Sequence, residues 1–133
     1  MERRHVLMFD CRGYARIIEA SHEEIFVDSM FVKKAHRRRG IGTELLRFTI
    51  SHLGKHPELD IRWQSLVAQH IAAKFGYVRE GTSDRYENCH VWRYHGAPGN
   101  LDRSFFRVQS SRTYKSSSRE TLVHYLRMNN GAR

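Results

Sequence analysis

The 133-residue sequence contains only two cysteines, Cys11 and Cys89, and two prolines. Two cysteines without a spacing pattern exclude a disulfide framework or a cysteine-based zinc site, which favours a reducing compartment and hence the cytoplasm. Long apolar runs are also missing, because the run after the N-terminal arginines is only Val6–Phe9. This run is too short for a signal-peptide core or a membrane span, so no membrane association is expected.

Acidic residues are scarce, with 14 Asp and Glu against 23 Lys and Arg, which gives a net charge of +9. Such a charge favours polyanions, acidic proteins or phosphorylated small molecules as partners. The length fits a single domain with one core. The last part of the chain, 96–133, is more basic per residue than the rest, and the Gly- and Pro-containing linker at 95–100 marks its start.

Short strand patterns alternate with two amphipathic helix patterns along the chain. The predicted strands are His5–Asp10, Tyr14–Ala20, Glu24–Val32, Leu59–Gln64, Tyr77–Glu80 and Tyr86–Tyr94. The predicted helices are Ile41–Leu53 and Leu66–Phe75. After the linker, the sequence predicts a strand at Ser104–Gln109 and, from a capping-box pattern, a helix at Thr121–Met128.

The turn Arg37–Thr43 lies between a predicted strand and a predicted helix and contains Gly40 and Gly42. A glycine-containing turn that opens a helix presents free backbone N–H groups and the positive end of the helix dipole. These features bind phosphate or pyrophosphate. The sequence therefore predicts an anionic cofactor at this turn.

Two sequence blocks together point to a known family. The first is Val32-x4-Arg37-x2-Gly40-x-Gly42, and the second is Ser65-x2-Ala68-x2-Ile71-Ala72-x3-Gly76-Tyr77. The first block resembles the acyl-CoA signature of the GNAT N-acyltransferases, and the second meets the second block of that family in part. The resemblance covers roughly residues 4–95. It implies a GNAT-like α/β (α+β) fold with a mixed, mostly antiparallel central sheet and helices on both sides.

The resemblance also implies acetyl-CoA as acyl donor and direct attack of an amine on its thioester. Backbone amides of the turn would hold the pyrophosphate, and the strand before the turn would pair with the pantetheine. The implied cofactor-binding residues are Phe31, Val32, Lys33, Arg37, Arg38, Arg39, Gly40, Ile41, Gly42, Thr43 and Ser65.

The sequence departs from the family at the chemical half of the site. Ala72 occupies the position of the family tyrosine, which protonates the leaving thiolate, and Ser65 that of an asparagine. Asp28 is the first candidate base, with Glu24 on the same strand face as the second. Tyr77 and His70 are candidate acids, although a helix-surface role for His70 and a structural role for Asp28 stay open.

The nine histidines show no tight ligand spacing, so no metal site is predicted. Family members begin with a strand and helices that wall the acceptor site, whereas this sequence starts at the equivalent of their second strand. We hypothesise a core at 1–95 and a strand-helix extension at 96–133 that packs on it. Segment 104–128 would take the place of the missing N-terminal elements at the acceptor site, by permuted connectivity or by exchange between two protomers.

The expected acceptor is a macromolecule, either an acidic protein or a nucleic acid, and the expected assembly is a monomer or a homodimer. An alternative from another functional class is a GNAT-fold protein with reduced chemistry. It would bind nucleic acid or a protein partner through Arg37–Arg39 and the Arg- and Ser-rich segment 103–119.

Overall fold

A computed structural model describes residues 2–9, 12–96, 106–116 and 119–128. Eight strands and two helices follow one another within these ranges. The strands are β1 (Glu2–Phe9), β2 (Gly13–Glu19), β3 (Ile25–Val32), β4 (Glu58–Arg62), β5 (Tyr77–Thr82), β6 (Cys89–Tyr94), β7 (Phe106–Ser116) and β8 (Arg119–Met128). The helices are α1 (Ile41–Leu53) and α2 (Leu66–Lys74), and a short 3-10 turn at Lys34–His36 follows β3.

All eight strands form one sheet in the order β5-β6-β4-β3-β2-β1-β8-β7. Neighbouring strands are antiparallel except for the parallel pairs β3/β4 and β1/β8. The expected mixed and mostly antiparallel sheet is therefore confirmed.

Helix α1 has the bounds that its apolar spacing predicts. Leu45, Leu46 and Thr49 lie on its buried face and are at most 2% exposed. Gly40 and Gly54 flank the helix in the left-handed conformation, which glycine adopts without steric cost. No helix in the described ranges is long and apolar enough to cross a membrane.

Both helices lie on one face of the sheet, rather than on both faces as the sequence analysis expected. The crossovers β3-α1-β4 and β4-α2-β5 connect strands of the same orientation and advance in the same direction along the sheet. Right-handed crossovers that advance together place their helices on the same side. Accordingly, one cluster contains residues of both helices and the sheet, among them Leu7, Ile17, Val27, Leu45, Ala72 and Leu126.

The C-terminal segment is a β-hairpin, so the helix predicted at Thr121–Met128 is wrong. Strand β8 pairs in parallel with β1 and antiparallel with β7, and Leu126 is buried in the common core. The alternating β-branched and aromatic residues of β8 fit a strand between two neighbours, and this tertiary pairing overrides the capping-box pattern. The strand predicted from Ser104 begins at Phe106, and 104–105, 97–100 and Cys11 lie outside the described residues.

Candidate functional site

Strands β3 and β4 pair over only two positions, Phe26 with Glu58 and Val27 with Leu59. Strand β3 continues to Val32 and is paired there with β2 alone. Lys33 N–H donates to Arg12 O at 2.7 Å, on the β2 side. Since successive backbone groups alternate in direction along a strand, the carbonyl of Val32 points into the gap on the other side. The two strands therefore open a cleft that begins after Val27.

The turn at the end of this cleft has the backbone of an anion-binding loop. Arg38 and Gly40 have φ values of 65° and 78°, both left-handed. The first backbone bond into α1 runs from Glu44 N–H to Gly40 O at 3.0 Å. Within the described residues, the N–H groups of 38–43 have no backbone acceptor. Such consecutive free donors at a helix N-terminus suit a phosphate group.

Two contacts hold this turn in place. Arg37 Nε donates to Val32 O at 2.9 Å, and its guanidinium carbon lies 5.9 Å from the centre of the Phe31 ring. At Gly42, a Cβ atom would lie 3.2 Å from Cδ1 of Ile71 on α2. The second glycine of the motif therefore allows α1 to begin close against α2.

The second sequence block lies on α2. Ser65 precedes the helix as its N-cap residue and makes no side-chain capping hydrogen bond. Ala72, at the position of the family tyrosine, is fully buried in the hydrophobic core. The side chain at this position is therefore a packing group, and it contributes no proton donor to the cleft.

Asp28 lies directly after the last β3/β4 pair, at a register shift of β3 against β2. Its Oδ1 accepts from Arg16 Nε at 2.8 Å, and its Oδ2 accepts from Arg16 Nη2 at 3.0 Å and from the Tyr86 hydroxyl at 2.7 Å. The Asp28 side chain is only 3% exposed. The first candidate base is thus shielded from solvent and held by two partners.

Tyr86 is the residue of this site that sequence reasoning missed. Its side chain belongs to the loop before β6, where Tyr86 N–H donates to Ser83 Oγ at 3.2 Å. Burial, followed by the hydrogen bond to Asp28, raises the pKa of Tyr86 to about 12, so the phenol is neutral at pH 7. The sequence assigned Tyr86 to the start of a strand, and no local pattern connects it with Asp28.

Glu24, the second candidate base, is half-exposed and belongs to a different cluster. Its Oε2 lies 3.2 Å from Arg85 Nη1, and Arg85 also binds Glu58 and the fully buried carboxylate of Asp60. Burial disfavours the charge of Arg85, but the hydrogen bonds to Asp60 and Glu58 outweigh it and raise the pKa of Arg85. The guanidinium carbon of Arg85 lies 3.9 Å from the centre of the Phe26 ring.

The two candidate acids do not contact Asp28. The Tyr77 hydroxyl donates to Pro57 O at 2.7 Å inside the core, and burial raises the pKa of Tyr77. This proton is engaged in a structural hydrogen bond. His70 lies on the exposed face of α2, as a helix-surface role predicts.

The sequence model of the acetyltransferase (GNAT) domain matches residues 2–79. The chain belongs to the GNAT acetyltransferase family. The match includes the cleft and the turn, and it continues through α2 into β5. No curated protein sequence matches the chain significantly.

Solved structures of acetyltransferases share the fold. PaiA N-acetyltransferase from Thermoplasma acidophilum, in complex with coenzyme A, is 16% identical with a TM-score of 0.51, and the match covers 61% of this chain and 51% of that one. Ard1 from Thermoplasma volcanium is 21% identical with a TM-score of 0.52 and 62% coverage of both chains. Naa50 from Arabidopsis thaliana, in complex with the bisubstrate analogue CoA-Ac-MVNAL, is 19% identical with a TM-score of 0.50, and 61% and 63% are covered. This GNAT chain thus spans about half to two thirds of each structure.

Proposed function

We propose that this GNAT chain is an N-acetyltransferase that transfers an acetyl group from acetyl-CoA to an amine of a macromolecule. The observation that carries the proposal is the run of free N–H groups at 38–43, located at the end of the cleft between β3 and β4. The coenzyme A in the PaiA structure and the CoA-peptide analogue in the Naa50 structure support the choice of donor and of a peptide-like acceptor.

The residues present fit an acyl-CoA. The N–H groups from Arg38 to Thr43 would bind the pyrophosphate, and the exposed side chains of Arg37 and Arg39 would add positive charge. The edge of β3 at Phe31–Lys33 would pair with the amides of the pantetheine. For this pairing, Arg37 would give up its hydrogen bond to Val32 O. Ser65 would supply a hydroxyl in place of the family asparagine.

The proposed reaction forms a C–N bond between the acceptor amine and the thioester carbonyl and breaks the C–S bond, which releases the thiolate. A thiol has an ordinary pKa of about 8.5, so its thiolate leaves without obligatory protonation. This chemistry is compatible with alanine at position 72. Orientation of the two substrates in the cleft would supply much of the rate.

We propose that Tyr86 and Asp28 remove the amine proton together. The Asp28 side chain is 3% exposed, whereas Tyr86, which donates to it, is 36% exposed, so we propose that an amine reaches Asp28 through the Tyr86 hydroxyl. As the Tyr86 oxygen takes up the amine proton, its own proton passes to Oδ2 of Asp28 along the 2.7 Å hydrogen bond. The amine has then lost one proton, Asp28 has gained one, and Tyr86 is again neutral, so no more exposed base is needed.

Calorimetric titration with acetyl-CoA and CoA, followed by intact-mass analysis of partner proteins incubated with acetyl-CoA, tests the proposal. We expect saturable binding of one acetyl-CoA per chain and a mass gain of one acetyl group on an acceptor. Absence of acetyl-CoA binding, combined with salt-sensitive binding of duplex nucleic acid, would instead support the nucleic-acid-binding alternative.

A further inference from the structure

Three histidines that are far apart in the sequence meet beneath the β1/β8 pair. His5 lies on β1, His52 on α1 and His124 on β8, and one ring nitrogen from each lies within 4.8 Å of the others. Their separation along the chain gave no metal-site signal, because that signal consists of short-range ligand spacing. The fold, not the sequence pattern, creates this cluster.

The distance between two of these nitrogens matches metal coordination. Nδ1 of His5 and Nε2 of His124 are 3.3 Å apart. In a tetrahedral site with metal–nitrogen bonds of about 2.0–2.1 Å, two ligand nitrogens are separated by about 3.3–3.4 Å. His52 completes the group, with its ring centre 4.6 Å from that of His124.

A carboxylate fixes the remaining nitrogen of His5. Nε2 of His5 lies 2.9 Å from Oε1 of Glu19, which places the ring proton on Nε2 and leaves the Nδ1 lone pair directed at the cluster. Metal-binding histidines commonly donate their other N–H group to a carboxylate in this way. His5 and His124 are 8% and 9% exposed, so water competes little for these nitrogens.

We propose that His5, His52 and His124 bind one divalent ion of the zinc class. Imidazole ligands suit Zn²⁺, Co²⁺ and Ni²⁺. Three imidazoles leave the fourth position of a tetrahedral ion for water. Such an ion would connect the N-terminal strand, the first helix and the C-terminal hairpin, and it would stabilise their packing independently of acyl transfer.

Spectroscopic titration of the full, EDTA-treated chain with Co²⁺ tests the site. We expect the visible absorption of tetrahedral Co²⁺ at one ion per chain, its loss when Zn²⁺ displaces Co²⁺, and a higher Tm with Zn²⁺. The variants His52→Gln and His124→Gln should lower the affinity at least tenfold. The matched control His22→Gln changes an exposed loop histidine and should bind like the wild type.

Because replacement of a buried histidine can disturb folding, Glu19→Gln provides a second test. Removal of the carboxylate should lower Co²⁺ affinity about 10- to 100-fold while the far-UV circular dichroism is retained. The proposal fails if the wild type binds neither Co²⁺ nor Zn²⁺, or if Glu19→Gln and His52→Gln both bind as tightly as the wild type.

Discussion

The hydroxyl of Tyr86 donates a 2.7 Å hydrogen bond to Oδ2 of Asp28 across 58 residues of sequence. If this pair removes the amine proton, Tyr86→Phe should lower kcat about 10²-fold or more, the usual range for general base catalysis. The KM for acetyl-CoA should stay near the wild-type value. Steady-state kinetics with the acceptor found by mass analysis provides the measurement.

Tyr94→Phe is the control for that substitution, since Tyr94 lies on the helix face of the sheet against the core. Its kcat should remain close to that of the wild type. An unchanged kcat for Tyr86→Phe would exclude the proposed proton path and leave Tyr86 as a structural partner of Asp28.

Gly40→Ala and Gly54→Ala form a matched pair at the two ends of α1. Both glycines have left-handed φ values, 78° and 70°, and a Cβ atom at either position meets no atom within 4 Å. Each substitution should therefore lower the free energy of unfolding by about 1–2 kcal/mol. Only Gly40→Ala should weaken acetyl-CoA binding in calorimetry, because only that residue shapes the donor turn. Equal affinities of the two variants would argue against binding at 38–43.

Arg85→Ala should destabilise the fold by about 3 kcal/mol, because it leaves the buried Asp60 and its neighbour Glu58 without their shared cation. Arg93→Ala removes a half-exposed partner of Glu58 and should cost about 1 kcal/mol or less. Urea unfolding of both variants measures the difference. If both variants lose a similar free energy of unfolding, the burial of Asp60 and Arg85 contributes little to stability.

The Arg85→Ala effect should also depend on pH. Burial raises the pKa of Glu58, but Arg93 and Arg85 outweigh this and hold the pKa below the ordinary 4.5. Its ionised form therefore stabilises the fold above pH 4.5, and this contribution is lost as the pH falls below that value. The stability gap between wild type and Arg85→Ala should be widest above pH 5 and should narrow on acidification, as urea unfolding at several pH values would measure. A gap that widens in acid would contradict this assignment.

Leu126→Ala tests whether the C-terminal hairpin belongs to the common core. Leu126 is 2% exposed and packs in the same cluster as Leu7, so truncation should cost about 2–5 kcal/mol. Leu66→Ala, at a position 73% exposed on α2, should change stability by less than about 0.5 kcal/mol. A single urea transition shifted only by Leu126→Ala is the expected result, whereas a separate hairpin transition would indicate an independent unit.

Local patterns predicted the parts of the fold that local forces determine. The spacing of Leu45, Leu46 and Thr49 and the flanking Gly40 and Gly54 gave α1 with its observed bounds. The GNAT resemblance located the turn because its glycines have a backbone requirement that is visible in the sequence. The C-terminal helix was wrong because pairing with β1, a distant strand, decides the conformation of β8.

The candidate site was predictable only where neighbours in sequence form it. Asp28 was selected from its strand face, but its partners Arg16 and Tyr86 come from another strand and a loop. Likewise, the 3.3 Å approach of His5 and His124 arises from strand pairing between the two ends of the chain. Side-chain contacts of this kind depend on register and topology, which spacing along one segment does not encode.

The parallel pairing of β1 with β8 has a consequence for biosynthesis. During translation, β8, the partner for the outer edge of β1, is made only after the other described strands and both helices. Until then, that edge exposes unpaired backbone groups, which invite pairing with other chains. We therefore expect this domain to fold slowly relative to helical proteins of this size, as its many long-range contacts imply.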